Sequence, residues 1–158
     1  SMKIVLIAVG KTSTQYIADA TSGFLKRVNR YMPMETVIVP DLKSTRGLTE
    51  DVQKQREGAG IMAALQPGDH VCLLDERGTE MSSREFASMI DRRMNQGLKR
   101  LVFVIGGPYG FSQEIYSRAD SKMSLSRMTF THEMVRLFFV EQVYRAMTIM
   151  RGEPYHHD

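Results

Sequence analysis

The strongest constraint on the fold is a regular alternation between short, β-branched apolar runs and longer stretches with helical spacing. Apolar runs at Lys3–Val9, Glu35–Val39, Val71–Leu74 and Leu101–Ile105 predict four strands. Strands that alternate with helices are typical of a mainly parallel sheet that is covered by helices. The sequence therefore predicts an α/β fold, and because it contains neither an internal repeat nor a linker, it predicts one domain over residues 1–158.

Helix ends are predicted from capping residues, turn glycines and prolines. The helices between the strands are expected at Tyr16–Tyr31, from Thr49 to about Leu65, and from Ser82 or Ser83 to about Asn95. Beyond the fourth strand we expect a short helix from Ser112 to about Arg118, a possible fifth strand at Lys122–Ser126, and a long helix at Glu133–Met150 capped by Thr131.

The last predicted helix carries apolar side chains nearly all the way round, with Phe139 and Val143 on one face and Leu137 and Phe138 on another. A helix of this kind has to be buried on every side, and a single sheet covers only one face. An identical subunit at a two-fold interface is the simplest second surface, so the pattern predicts a homodimer.

The polar residues of this helix need partners. Glu141 and Arg145 have the i,i+4 spacing of a favourable ion pair. Arg136 has no such partner nearby, and we expect it to face solvent or to bind an anion.

A Gly-Glu-Pro break ends the helix and leaves Tyr155, His156 and His157 on a short chain end. Chain ends are usually poorly ordered, so a phenol and imidazoles at this position favour hydrogen bonding and proton transfer at a site. A disordered tail and histidines left from purification are the alternative interpretations, although Ser1 before Met2 is what resembles a cloning remnant.

Composition excludes several classes of protein. Cys72 is the single cysteine, so no intrachain disulfide can form, and we expect it to be buried. The histidines do not have the spacing of a metal site. Neither a secretory leader nor a bilayer-spanning stretch is found, which predicts a cytoplasmic protein without a membrane partner. The phosphate-loop and dinucleotide fingerprints are absent, which argues against an ATPase or a conventional dehydrogenase. A net charge of +3 is only weakly indicative of nucleic-acid binding.

Three segments follow predicted strands of the later part of the chain, where open α/β sheets bind ligands. They are Leu74–Gly78, Gly106–Pro108 and Leu125–Phe130. Glycines directly after a strand allow a ligand to approach the backbone closely.

Several motifs together resemble one family. They are Leu6–Gly10, Val104–Gly110, Leu125–His132 with Arg136, Glu141–Ala146 and Tyr155–His157. Over the whole chain they resemble the ribosomal RNA large-subunit methyltransferase H family, pseudouridine N3 methyltransferases of the knotted SPOUT class. Thr131 departs from this family's usual proline, which predicts a less rigid loop before the last helix.

The resemblance implies a C-terminal trefoil knot, a homodimer with composite sites, and S-adenosyl-L-methionine as methyl donor. It places the donor against Leu74, Gly106, Leu125, Ser126, Arg127, Met128, Thr129 and Phe130. The implied substrate is a pseudouridine of large-subunit ribosomal RNA, and the implied partner is that RNA within the ribosome.

We expect Tyr155, His156 and His157 to position the base and assist loss of its N3 proton. Arg136 and Arg145 are further candidates, for binding an anion or for holding the knot. Alignment of the donor's sulfur and methyl group with N3 of the base would supply most of the rate acceleration. Two other functions stay open at this point: a non-catalytic RNA-binding module of the ribosome, and a flavodoxin-like nucleotide binder that uses the Gly106 loop.

Overall fold

The computed structural model describes residues 1–158 as one five-stranded sheet with five helices. The strands are β1 (Lys3–Val9), β2 (Met34–Val39), β3 (His70–Glu80), β4 (Arg100–Ile105) and β5 (Ser121–Ser124). The helices are α1 (Gln15–Val28), α2 (Glu50–Ala64), α3 (Ser83–Asn95), α4 (Gln113–Arg118) and α5 (His132–Met150). The strands lie in the order β2-β1-β4-β3-β5 with every pairing parallel, which confirms the predicted α/β fold. The trefoil knot stays a prediction.

Side chains of β1 alternate between two apolar layers. Ile4 and Leu6 pack with α1, α3 and α5 on one face of the sheet, whereas Val5 and Ile7 pack with α2 and α4 on the other. All four side chains are fully buried. Burial on both faces explains why the strands are continuous apolar runs rather than alternating ones.

Capping side chains begin the helices where the sequence predicts. Thr49 Oγ1 accepts a hydrogen bond from the Val52 amide at 3.1 Å. Ser82 and Glu85 form a reciprocal capping box at the start of α3. Thr131 Oγ1 accepts from the Met134 amide at 3.3 Å. These bonds satisfy amides that have no partner inside a helix.

Helices α1 and α3 of the same chain cover much of the second side of α5, a surface for which the sequence pattern named an identical subunit as the simplest source. The homodimer stays a prediction. Helix α5 packs against α1 and α3, which lie beside it in the same layer, as well as against the sheet. Phe139, Val140 and Val143 are fully buried. Phe138 remains 37% exposed, and Leu137 and Tyr144 are among the other large apolar side chains of α5 that are only partly buried.

Arg136 lies inside the molecule, so the expectation that it faces solvent is wrong. Its side chain is 3% exposed, and it donates to the Val9 carbonyl at 2.7 Å and to Thr12 Oγ1 at 3.0 Å. Burial lowers the pKa of the guanidinium from its usual value. Arg136 thus ties α5 to the carboxyl end of β1.

Replacing Phe139 by alanine should destabilise the protein by about 3–5 kcal/mol, because this ring fills the layer between α3, α5 and β4. Its centroid lies 4.7 Å from that of Phe103 and 5.9 Å from that of Phe86. Urea denaturation measures the change, with Tyr16→Ala as control because Tyr16 is 76% exposed. A cost for Phe139→Ala as small as that of the control would contradict the assigned packing.

Candidate cofactor site

A cavity of about 610 Å³ lies where β3, β4 and β5 end. Its walls come from the residues after each of these strands, from the start of α5 and from Lys54 of α2. Its size is that of a small-molecule site, and its position obeys the rule for ligands in open parallel sheets. Leu74, Ile105 and Leu125 supply apolar surface, while Asp75 and other polar groups line the remainder.

One wall of the cavity is an interruption of β3. Leu74 and Thr79 both pair with Met123 of β5, so the four residues between them leave the ladder. Asp75, Glu76 and Arg77 of this bulge line the cavity. Gly78 makes the bulge possible, since a Cβ there would lie closer than 3.0 Å to the Met123 backbone.

Tyr116 of α4 holds the bulge at its first residue. Its hydroxyl donates a hydrogen bond to Asp75 Oδ2 at 2.5 Å. Burial, and then this bond, raise the pKa of Tyr116 to about 12. The phenol is therefore a neutral hydrogen-bond donor at all physiological pH values.

The turn after β4 has no room for side chains at its two glycines. A Cβ on Gly106 would lie 3.0 Å from the Phe111 ring, and one on Gly107 would overlap the Glu57 carboxylate. Gly110 closes the turn with a φ of +83°, which glycine adopts without strain. Gly106, Gly107 and Gly110 all line the cavity, so its wall is bare backbone at these three positions.

The loop from β5 to α5 forms the wall opposite this turn. Ser124 Oγ donates to the Ser126 carbonyl at 2.9 Å, and Ser126 Oγ accepts from the Met128 amide at 2.9 Å. Thr131, at the end of the loop, has a φ of −61°. That is the value to which proline is restricted, so the backbone at Thr131 has a conformation that proline could also adopt, and the threonine hydroxyl adds a helix cap.

The start of α5 also holds the loop between β1 and α1. Glu133 accepts hydrogen bonds from the Thr14 amide at 3.0 Å and from Ser13 Oγ at 2.8 Å. The Thr14 amide is the main cause that lowers the pKa of Glu133 to about 2. The neighbouring His132 lines the cavity, so one turn of helix joins the cavity wall to this loop.

The C-terminal tail is packed on α5 and α3. Tyr155 donates to Glu141 Oε1 at 3.1 Å, and its ring lies under the Arg145 guanidinium at 4.7 Å. Arg145 donates to Nδ1 of His156 at 3.2 Å, and Nε2 of His156 lies 2.9 Å from Asp158. The predicted Glu141–Arg145 ion pair is confirmed and forms the centre of this arrangement.

The structure gathers most of the predicted donor-binding residues and separates them from the predicted catalytic ones. Leu74, Gly106, Leu125, Ser126, Met128, Thr129 and Phe130 line the cavity, whereas Arg127 points to solvent near Glu80. Tyr155, His156, His157 and Arg136 are absent from its walls. Lys54 and Tyr116 also line the cavity and were not predicted to, because helices elsewhere in the chain bring them to the strand ends.

The geometry defines a class: an α/β protein whose strand ends enclose a cavity suited to a nucleoside-sized ligand. The family model described as predicted SPOUT methyltransferase matches residues 2–156, and the chain belongs to that family. Enzymes of this family use S-adenosylmethionine as methyl donor. The apolar walls, bare glycine backbone and polar bulge of the cavity fit that donor.

Full-length relatives agree with this assignment. Ribosomal RNA large subunit methyltransferase H of Christiangramia forsetii is 54% identical over 156 residues, which cover 99% of each chain. The protein of the same name from Parabacteroides distasonis is 50% identical over 157 residues, covering 99% of this chain and 100% of the relative. Among solved structures, a probable methyltransferase from Bordetella pertussis Tohama I shares the fold at 12% identity, with a TM-score of 0.58 over 92% of this chain and 95% of that one.

Gly78→Ala should abolish tight donor binding, because the added methyl group collides with backbone atoms that cannot move independently of β5. Isothermal calorimetry with S-adenosylmethionine measures the loss, which we expect to exceed about tenfold in Kd. Gly23→Ala is the control, since a Cβ at Gly23 of α1 meets nothing within 4 Å. Equal donor affinities for the two variants would contradict the assigned bulge.

The stabilising effect of Glu133 should depend on pH. Its folded-state pKa of about 2 is below the ordinary 4.5, so its contribution is complete above pH 4.5 and is lost as the pH falls toward 2. Glu133→Gln should therefore lower the free energy of unfolding at pH 7 and make little difference near pH 2. Urea titrations from pH 2 to 7 measure this convergence.

Glu114→Gln serves as the control for this series, because the Glu114 carboxylate is exposed and makes no hydrogen bond. Its difference from the wild type should stay flat with pH. A flat difference for Glu133→Gln as well would show that the carboxylate does not hold the loop.

Proposed function

We propose that this protein methylates N3 of a pseudouridine in large-subunit ribosomal RNA. The proposal is carried by the cavity, which brings Leu74, Gly106 and the loop after β5 together in a chain of this family. The name of the full-length relatives supports the choice of ribosomal RNA as substrate. None of the five helices has the length and apolar character needed to cross a bilayer. We place the reaction in the cytoplasm because its proposed substrate is ribosomal RNA. We further propose that residues 1–158 act as a single domain.

The chemistry divides into binding the donor and removing one proton. The donor supplies a methyl group bonded to a positively charged sulfur. N3 of pseudouridine carries a weakly acidic proton between two carbonyl groups, and its lone pair has to be available for the new bond. The walls of the cavity orient the donor and exclude water from it, and this alignment provides most of the acceleration.

The tail residues are suited to different tasks at the base. Burial and the Glu141 carboxylate raise the pKa of Tyr155, so its hydroxyl acts as a hydrogen-bond donor and not as a base. Both nitrogens of His156 are engaged by Arg145 and Asp158. His157 is exposed and makes no hydrogen bond, which leaves its imidazole available to accept the N3 proton.

We propose that the working enzyme is a homodimer in which the tail of one protomer completes the cavity of the other. Within one protomer, no residue of the tail lines the cavity. Exposed apolar side chains lie on and near its rim, namely Met128 at 77% and Phe138 at 37%, the latter packed edge-to-face with Phe130. A second protomer would cover these side chains and supply the missing acid–base groups. Arg136 then serves by holding α5 against β1.

Methyl transfer to ribosomes with and without pseudouridine tests the reaction. Radiolabelled S-adenosylmethionine should label large subunits that contain pseudouridine, and should not label subunits from a strain that lacks the corresponding pseudouridine synthase. Binding to ribosomes without uptake of S-adenosylmethionine, measured by calorimetry, would indicate a non-catalytic RNA-binding module. Uptake of a flavin or mononucleotide in place of the donor would indicate a flavodoxin-like protein.

Deleting residues 155–158 should reduce methyl transfer by about a hundredfold, the usual contribution of acid–base groups, while donor binding persists. An equal mixture with Gly78→Ala, refolded together, should recover about a quarter of wild-type activity. Half of the dimers are then mixed, and each of these has one intact composite site. Each variant refolded alone is the control. If the mixture recovers nothing, the tail does not act across the dimer.

A further inference from the structure

Glu57 of α2 is a buried carboxylate next to the cavity wall. Its side chain is 7% exposed, and it does not line the cavity itself. Gly107 contacts it directly: a Cβ on Gly107 would lie closer than 3.0 Å to three atoms of the carboxylate. Gly107 lines the cavity, so a single residue without a side chain separates Glu57 from the ligand space.

The carboxylate of Glu57 is poorly compensated. Oε2 accepts a hydrogen bond from Gln53 Nε2 at 3.2 Å, whereas Oε1 has no partner. No lysine, arginine or histidine forms a salt bridge with it. A buried carboxylate without a cation is costly, since neither water nor an opposite charge replaces its hydration.

Position 107 requires glycine because there is no room for a Cβ, and not because of its backbone conformation. Gly107 does not have a positive φ, unlike Gly110 in the same turn. A larger residue would therefore be tolerated by the backbone, and Glu57 is what excludes it. The path of the turn and the place of the carboxylate are thus set by the same contact.

We propose that Glu57 is a positioning residue of the donor site, which fixes the Gly106–Gly107 turn and places a negative charge beside the cavity for a positively charged donor. The inference rests on the proposed function only in taking S-adenosylmethionine as the ligand. The field of Glu57 acts across one glycine from a buried position, where a charge is weakly screened. The missing counter-charge then arrives with the donor, on its sulfonium and ammonium groups.

This role predicts opposite effects on stability and on binding. Glu57→Gln keeps the shape of the side chain and removes its charge, so the ligand-free protein should have an unchanged or higher Tm. The affinity for S-adenosylmethionine should fall about tenfold, as expected for losing one nearby charge. The affinity for S-adenosylhomocysteine, which lacks the sulfonium charge, should fall less. Calorimetry and thermal unfolding give all three values.

The control is Glu50→Gln, which removes an exposed carboxylate from the first turn of the same helix and should leave both affinities unchanged. Unchanged donor affinity in Glu57→Gln would overturn the proposal. A lower Tm together with equal loss of both ligands would also overturn it, since Glu57 would then be merely structural. Ribosome methylation by the wild type is measured separately. If the wild type does not methylate ribosomes, the proposed RNA substrate is wrong, but the effect of Glu57→Gln on donor binding still tests the role of Glu57.

A second pair of variants tests the contact with Gly107. Gly107→Ala should weaken donor binding because its methyl group displaces the turn from Glu57. Adding Glu57→Asp keeps the charge, shortens the side chain by one methylene and makes space for that methyl group. The double variant should recover at least half of the binding free energy that Gly107→Ala loses. No recovery would show that Glu57 does not set the turn, which would overturn the proposal.

Discussion

The pairing of β3 with β5 is the interaction on which the site depends. Both Leu74 and Thr79 meet the same residue of β5, so the chain between them is forced out of the sheet. That excursion builds one wall of the cavity, and Tyr116 fixes it through Asp75. The turn after β4 and the loop after β5 then enclose the remaining space, because parallel strands end at a common edge.

Much of the fold follows from local sequence, because strands buried on both faces and helices with side-chain caps leave strong signals. The caps at Thr49, Ser82, Ser112 and Thr131 lie where the sequence places them. Apolar periodicity did not show what covers α5, however, since it counts apolar faces without showing which helices lie beside them. The two neighbours α1 and α3 come from distant parts of the chain and could not be recognised from α5 alone.

The site was predicted less completely, for a physical reason. Residues of the loop after β5 form a contiguous motif and could be recognised together. The bulge depends on a contact between Gly78 and Met123, and the position of Glu57 depends on Gly107, so neither contact is visible in a local pattern. Arg136 shows the opposite difficulty: its lack of a neighbouring partner suggested exposure, whereas the carbonyl that it binds belongs to the first strand.

The hydrogen bonds of Glu133 join the loop before α1 to the start of α5, near the cavity. Ser13 and Thr14 are held by Glu133 in the first turn of α5. His132, the residue before Glu133, lines the cavity. Ordering of the loop before α5 by a ligand would reduce the motion of this turn, and with it the motion of the first turn of α1. Communication of this kind is entropic and needs no displacement of atoms. Slower amide hydrogen exchange at Thr14 in the loaded protein would be its signature, at a residue more than a hundred positions away in sequence.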